Sequence, residues 1–304
     1  LLKRLTPSMR TPARPDLGQT VVRTPVFARL FLLLTLWCAL AAPAVPQARP
    51  AVNARAAIVV NMDTGKVLFA KNPDLSIPPA SLTKVMTMFL TMDMVRKKKV
   101  RLADKVRITS SVAAVGGSTM RLQAGERVSV KDLLTGAAVA SGNDAATALA
   151  RVVGGNDRRF VQTMNQKARN LGMKRTVFKN PTGLPAAGQK TSARDMAALA
   201  RAYLAAHPTA LSFHSTKAFT HRGRLMPNTN MLLRTVAGVN GLKTGWTIAS
   251  GYNIIVTARR GNVRLLAVVL GSPSRSVRDD TARHLLEKAF TPPKPLKKSR
   301  QPKS

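Results

Sequence analysis

Residues 241–270, GLKTGWTIASGYNIIVTARRGNVRLLAVVL, decide the fold. They contain three strand-like runs, GLKTGWT, YNIIVTARR and VRLLAVVLG, and the last two are joined only by Arg260-Gly261-Asn262. Links this short favour antiparallel neighbours, because a parallel partner needs a crossover of a dozen residues or more. A helical pattern follows, from about Val277 to Phe290. Working outward, Ala56–Val60 and Lys66–Ala70 are two β-rich runs flanking Asn61-Met62-Asp63-Thr64-Gly65, which predicts a hairpin. Between about Pro79 and Ala206 the periodicity is helical, in the runs SLTKVMTMFLTMDMV, VKDLLTGAAVA, AATALARVV, RRFVQTMNQKARNLG and SARDMAALARAYLAA. Regular strand–helix alternation is missing, so a parallel βαβ sheet is excluded. The expectation is an α+β domain in which the N-terminal hairpin joins the C-terminal strands in one antiparallel sheet, with a mostly helical middle.

The two ends have different compositions from this body. Residues 1–29 carry six Lys or Arg against Asp16 alone, and the apolar run Leu30–Ala42 follows. Thirteen apolar residues are short of the ~20 that span a bilayer, and Ala42-Pro43-Ala44 offers a small-residue cleavage site. Residues 1–44 therefore read as a basic leader and signal peptide, which predicts export to the periplasm or cell-wall space. Trp37 precedes the lone Cys38 where lipid attachment requires a small residue, which argues against a lipoprotein. Residues 291–304, TPPKPLKKSRQPKS, read as a basic flexible tail. This leaves 45–290 as one domain.

Composition excludes several chemistries. The chain has 49 Lys and Arg against 13 Asp and Glu, a formal charge of +36, yet 45% of it is hydrophobic, enough for a sizeable core. One cysteine permits neither a disulfide framework nor a Cys-based zinc site. The four histidines form no His-x-x-x-His pair, so no metal site and no cofactor is expected. The basic charge lacks the helical stripe or aromatic interleaving of a nucleic-acid reader, and no nucleic-acid partner is expected.

Three short motifs carry chemistry. In Ser81-Leu82-Thr83-Lys84 the spacing sets Ser and Lys on one helical face, where a lysine of lowered pKa can act as base for a hydroxyl nucleophile. Ser141-Gly142-Asn143 offers a hydroxyl for proton relay and an amide that both donates and accepts. Lys243-Thr244-Gly245 lies in the first C-terminal strand, whose alternate side chains face one cleft while Gly245 permits close approach. Each motif alone has an ordinary structural explanation: a helix cap, a helix-to-helix turn and an outward charge on a strand. Their order and separation change that.

The triple resembles the active-site set of the penicillin-recognising serine acyltransferases, and the chain resembles the low-molecular-mass penicillin-binding proteins, the D-alanyl-D-alanine carboxypeptidases with a β-lactamase-like or transpeptidase-like fold. The likeness extends from about Ala56 to Phe290 and includes Phe178-Lys179-Asn180-Pro181-Thr182-Gly183-Leu184, Thr191–Met196, Asn228-Thr229-Asn230 and Ser250-Gly251-Tyr252-Asn253. The resemblance implies that 45–290 is a serine D,D-peptidase domain. Ser81 would be the nucleophile and Lys84 its base, with Ser141 and Lys243 passing a proton to the leaving D-alanine. Asn143 would bind the substrate peptide, Lys243 and Thr244 would meet its terminal carboxylate, and the N–H groups of Ser81 and Trp246, beside Gly245, would form the oxyanion hole. Thr229 stands where some family members carry Arg, which leaves the carboxylate's main partner unassigned. Peptidoglycan stem peptides are the implied substrates, β-lactams the implied covalent inhibitors, and anionic wall or membrane surfaces further implied partners. Neither Glu126 nor Glu287 falls in the 176–190 region where a class A β-lactamase needs a glutamate. A carboxypeptidase is favoured over the family's D,D-endopeptidases. A secreted polyanion-binding protein without catalysis is the alternative from another class.

Overall fold

The computed structural model describes residues 52–291. The leader and signal peptide read over 1–44, and the tail read over 291–304 apart from Thr291, lie outside the described residues. Strand β1 (Ala56–Asn61) turns into β2 (Val67–Lys71) because the Asn61 side-chain oxygen accepts the N–H groups of Asp63 and Thr64, at 3.0 and 2.9 Å. This Asx turn then exits through Gly65 at a φ of 77°. A 3₁₀ turn, Ala80–Thr83, leads into α1 (Lys84–Arg96). Next come β3 (Lys105–Arg107), β4 (Arg127–Ser129), α2 (Val130–Val139), α3 (Asn143–Gly154), α4 (Asp157–Asn170) and α5 (Ala193–Ala206). The hairpin β5 (Ala218–His221) and β6 (Arg224–Pro227) precedes β7 (Val239–Thr247), β8 (Gly251–Arg260), β9 (Val263–Ser272) and α6 (Arg275–Phe290).

The main sheet has the order β2-β1-β9-β8-β7 with every neighbouring pair antiparallel, so the N-terminal hairpin does join the C-terminal strands. Ser129, Asn156, Ser192 and Ser274 each accept the N–H three residues on and start α2, α4, α5 and α6. Strand alternation divides the core in two. Ile58, Val60, Ile255, Leu266 and Val268 face the helical middle, whereas Ala57, Val59, Ile254, Val256, Ala267 and Val269 pack with Ala282, Leu285 and Leu286 of α6.

Two small hairpins depart from the sequence reading. β3 pairs with β4 inside the stretch read as helical, and β5 pairs with β6 beyond it. Strands of three or four residues are too short to display a period-2 pattern, and nineteen residues separate β3 from β4.

Helix α1 sets up the chemistry. Its first nine residues, Lys84 to Met92, are all buried, so it has no wet face at that end. Helices apolar or buried all round belong to a core. Lys84 is therefore carried into the interior by its helix.

Candidate active site

Ser81 and Lys84 meet at the junction of the 3₁₀ turn and α1. Lys84 is fully buried, and its Nζ donates to Ser81 Oγ at 2.8 Å, to Asn143 Oδ1 at 2.6 Å and to the Thr182 carbonyl at 2.8 Å. All three acceptors are uncharged at the contacting atom. Burial, and then the positive charge of Lys243, push the Lys84 pKa well below its ordinary value, while Asp144 opposes the shift. Asp144 is itself occupied in structure: its carboxylate accepts the N–H groups of Met120, Leu122 and Ala145.

The two acceptors other than Ser81 are held from outside. Asn143 begins α3, and its amide nitrogen donates to the Gly116 carbonyl at 2.7 Å, which fixes its oxygen toward Lys84. Thr182 lies in a loop ordered by Asn180, whose oxygen accepts from the N–H of Gly183 at 2.7 Å. Gly183 allows that loop to touch the turn that holds Ser81: at its φ of 84°, a Cβ would fall 1.7 Å from the Ala80 carbonyl oxygen. Ala80 itself has a φ of 47°, a left-handed conformation next to Ser81 that costs a non-glycine residue roughly 1 kcal/mol or more.

Strand β7 closes the other side. It is the edge of the five-stranded sheet, so one row of its backbone groups is left without a strand partner among the described residues. Gly245 approaches so closely that a Cβ there would lie 2.8 Å from the Ser81 nitrogen, which brings the strand against the Ser81 amide. Lys243 is buried, and its Nζ donates to the Thr244 carbonyl at 2.8 Å. Burial and then Arg278 lower its pKa to about 7. The Thr244 hydroxyl donates to Thr229 at 2.8 Å, which gives the residue between the paired asparagines a defined place at the site. From behind, Asn230 donates to the Gly241 carbonyl at 3.0 Å, and His214 Nδ1 lies 2.9 Å from the Leu242 carbonyl. His214 is fully buried, which drives its pKa down to about 3 and keeps it neutral.

Ser141 is buried, with a φ of 58°, and lines the same cleft as Ser81. Its hydroxyl makes no hydrogen bond to Lys84 or Lys243; Lys84 is engaged by Asn143 and Lys243 by Thr244. All eight residues singled out in the sequence thus converge: Ser81, Lys84, Ser141, Asn143, Lys243, Thr244, Gly245 and Trp246.

Two hollows flank Ser81. One, of about 350 Å³, is polar, with Ser118, Ser141, Thr229, Thr244, Arg275 and Arg278 in its wall. The other, of about 510 Å³, is bordered by Leu184, Pro185, Trp246 and Ile248. The arginines were missed in the sequence. Arg275 and Arg278 occupy the first turn of α6, which has no acidic residue there, and cations at a helix N-terminus oppose the macrodipole. That local conflict is the signal that could have marked them. Among the described residues no three His, Cys, Asp or Glu side chains gather as a metal site.

The D-alanyl-D-alanine carboxypeptidase model of peptidase family S11 matches residues 43–274. The chain is 41% identical over 244 residues to the D-alanyl-D-alanine carboxypeptidase DacF of Bacillus subtilis (strain 168), covering 79% of this chain and 62% of that relative. It thus spans less than two thirds of the length of this curated relative. A D-alanyl-D-alanine endopeptidase of Pseudomonas aeruginosa is 33% identical over 252 residues, with coverage of 79% and 80%. Penicillin-binding protein 5 from Haemophilus influenzae superposes with a TM-score of 0.76 at 37% identity, over 79% of this chain and 71% of that one. The β-lactamase-like fold expected from the motifs is therefore the fold observed, and the chain belongs to the D-alanyl-D-alanine carboxypeptidase family, S11.

Proposed function

We propose that this protein is a serine-type D-Ala-D-Ala carboxypeptidase that trims the terminal D-alanine of peptidoglycan stem peptides through an acyl-enzyme. The observation that carries the reading is the triple engagement of Lys84. A neutral amine has two N–H groups and one lone pair. Asn143 Oδ1 and the Thr182 carbonyl can take both N–H groups, which turns the lone pair toward Ser81 Oγ. Burial and Lys243 favour that neutral form. Lys84 then accepts the Ser81 proton as Oγ attacks the amide carbonyl between the two D-alanines. The oxyanion develops beside the N–H groups of Ser81 and Trp246, each such donor being typically worth ~2.7–4 kcal/mol. The proton passes to the leaving D-alanine by way of Ser141, which lines the cleft, and Lys243, buried beside Thr244 of its wall, and water then cleaves the ester.

The polar hollow is the natural seat of the terminal carboxylate. Thr244 and Thr229 offer hydroxyls there, and Arg278 offers a guanidinium that is 3% exposed. Arg278 would thus do what an arginine between the paired asparagines does in other members. The acyl portion of the stem peptide would lie toward Leu184 and Trp246, with Asn143 contacting its backbone. β-Lactams would acylate Ser81 in the same way, as the name of the Haemophilus relative suggests for that protein. The charge of +36 supports association with anionic wall polymers after export.

The endopeptidase reading has one point in its favour, the match over 80% of the Pseudomonas relative's length. The test is incubation with a pentapeptide wall fragment and a cross-linked dimer, followed by mass analysis. Release of D-alanine from the pentapeptide with the dimer left largely intact is expected; faster dimer cleavage would assign the endopeptidase. Absence of any turnover or penicillin labelling would leave the polyanion-binding alternative.

A further inference from the structure

We infer that Asp279 is a positioning residue for substrate recognition, anchoring one edge of the Arg278 guanidinium so that the remaining edge is kept for the substrate's carboxylate. The inference rests on the carboxypeptidase reading above. Arg278 and Asp279 are adjacent in α6, yet they divide the work. Arg278 is in the wall of the polar hollow beside Ser81, Thr244 and Thr229, whereas Asp279 is not part of that wall.

The geometry is one-sided. Arg278 Nε donates to Asp279 Oδ1 at 2.8 Å, and Nη2 lies 2.7 Å from the same oxygen. Nη2 nevertheless makes no hydrogen bond of acceptable direction and is shut off from solvent. Asp279 is the only ion-pair partner of Arg278 among the described residues. A buried guanidinium with five N–H groups and one anchored edge has donors to spare. Buried donors without partners are costly in a folded protein and are rarely left so without a role. A planar carboxylate entering the hollow fits such a fork, since guanidinium and carboxylate pair by parallel hydrogen bonds.

Asp279 is needed for three reasons. Without an anchor, Arg278 is free to rotate toward solvent and relieve its burial. Lys243 is also buried, and near enough for Arg278, after burial itself, to lower its pKa, so the two side chains repel when both are charged. Arg275, which shares the first turn of α6, repels it as well. Asp279 opposes all three effects.

The experiment compares kcat/KM for an acyl-D-Ala-D-Ala peptide with that for the same peptide carrying a C-terminal amide. The ratio is measured in the unaltered protein, Arg278→Ala, Asp279→Ala and the double variant. Arg278→Ala should lower the ratio by about 10- to 100-fold, the scale of one charged hydrogen-bonding partner. Asp279→Ala should lower it by about tenfold, mainly through KM, and add nothing in the Arg278→Ala background. Asp279→Glu should restore most of the ratio. Asp279→Asn, which keeps an oxygen for Nε and removes the charge, is the second variant should Asp279→Ala not fold. Its ratio must fall when Arg278 is present and stay unchanged when Arg278 is Ala. A folded Asp279 variant with the unaltered ratio, or equal losses with and without Arg278, overturns the assignment. Failure of the unaltered protein to release D-alanine would instead sink the carboxypeptidase reading itself.

Discussion

Helix α1 carries a polar cluster at each end, one buried and one half-buried, and the two are built on opposite plans. At its start, Lys84 is fully buried with only neutral atoms in its hydrogen bonds and a second lysine near enough to repel it. Nearer its end, Asp93 accepts from Lys167 at 2.9 Å, lies 2.8 Å from His207 Nε2, and is met at 3.3 Å by Arg96. Lys167 additionally sits 4.0 Å over the Phe89 ring. One cluster denies a charge its partner and lowers a pKa. The other surrounds a charge with partners and ties α1 to α4 and to His207, the residue that ends α5. Withholding the counter-charge makes a group reactive, and supplying it makes a group structural.

The contrast breaks most readily at Ser81. Ser81→Ala should abolish covalent labelling by penicillin while the chain stays folded; equal labelling of the variant would remove Ser81 as nucleophile. Lys84→Ala should slow acylation by at least ~10²-fold, the scale of a positioned general base. Full acylation by that variant would mean another group takes the proton. Lys84→Met goes further into the comparison. Replacing a buried amine that gives up its proton to be held there with an apolar chain should raise stability by about 1 kcal/mol in denaturant unfolding even as activity is lost. A less stable Lys84→Met chain would show that the hydrogen bonds to Asn143 and Thr182 outweigh that cost.

The pH dependence sharpens the same point. With Lys84 as the proposed base, acylation needs its neutral form, so the rate should rise with pH through the lowered pKa, well under the ~10.4 of an ordinary lysine. Lys243→Ala removes the repelling charge and should move that rising limb to higher pH; a limb that stays put would sever the two lysines. The smallest effect belongs to the structural cluster. Burial alone would raise the Asp93 pKa, but Lys167 and His207 outweigh it and the net shift is downward. The stabilisation is thus complete above the ordinary aspartate value of ~3.9 and is lost as pH falls through the lowered folded value. Asp93→Asn should cost about 1–3 kcal/mol at pH 7, and the gap to the unaltered protein should close toward pH 2. A gap that persists there would mean packing, not charge, is responsible.

Much of this was legible in the sequence, for identifiable reasons. The strands around Lys243 and the hairpin around Asn61 are bounded by turn residues with a mechanism, and the long helices end within a few residues of where their periodicity stops. The triple of Ser81, Asn143 and Lys243 could be read because motif order survives where three-dimensional proximity is invisible. What escaped was non-local. Nothing near Thr182 says that its carbonyl reaches a lysine 98 positions earlier, and nothing near Arg278 says which cleft its helix will face. The hairpin β3–β4 escaped because three residues cannot show a period.

The close contact of Gly245 with the Ser81 amide has a consequence for how the protein becomes dangerous to its own substrate. Synthesis runs from the N-terminus, so Ser81 and Lys84 emerge early. The strand that presses on Ser81, the lysine that adds to the effect of burial on Lys84 and the arginine at the polar hollow come from the last third of the chain. Strand β1 must likewise wait for β9, its inner neighbour in the sheet. A partly made chain therefore lacks the strand against Ser81, the repelling charge of Lys243 and the arginine of the hollow, and the complete site arrives only with the closing segments.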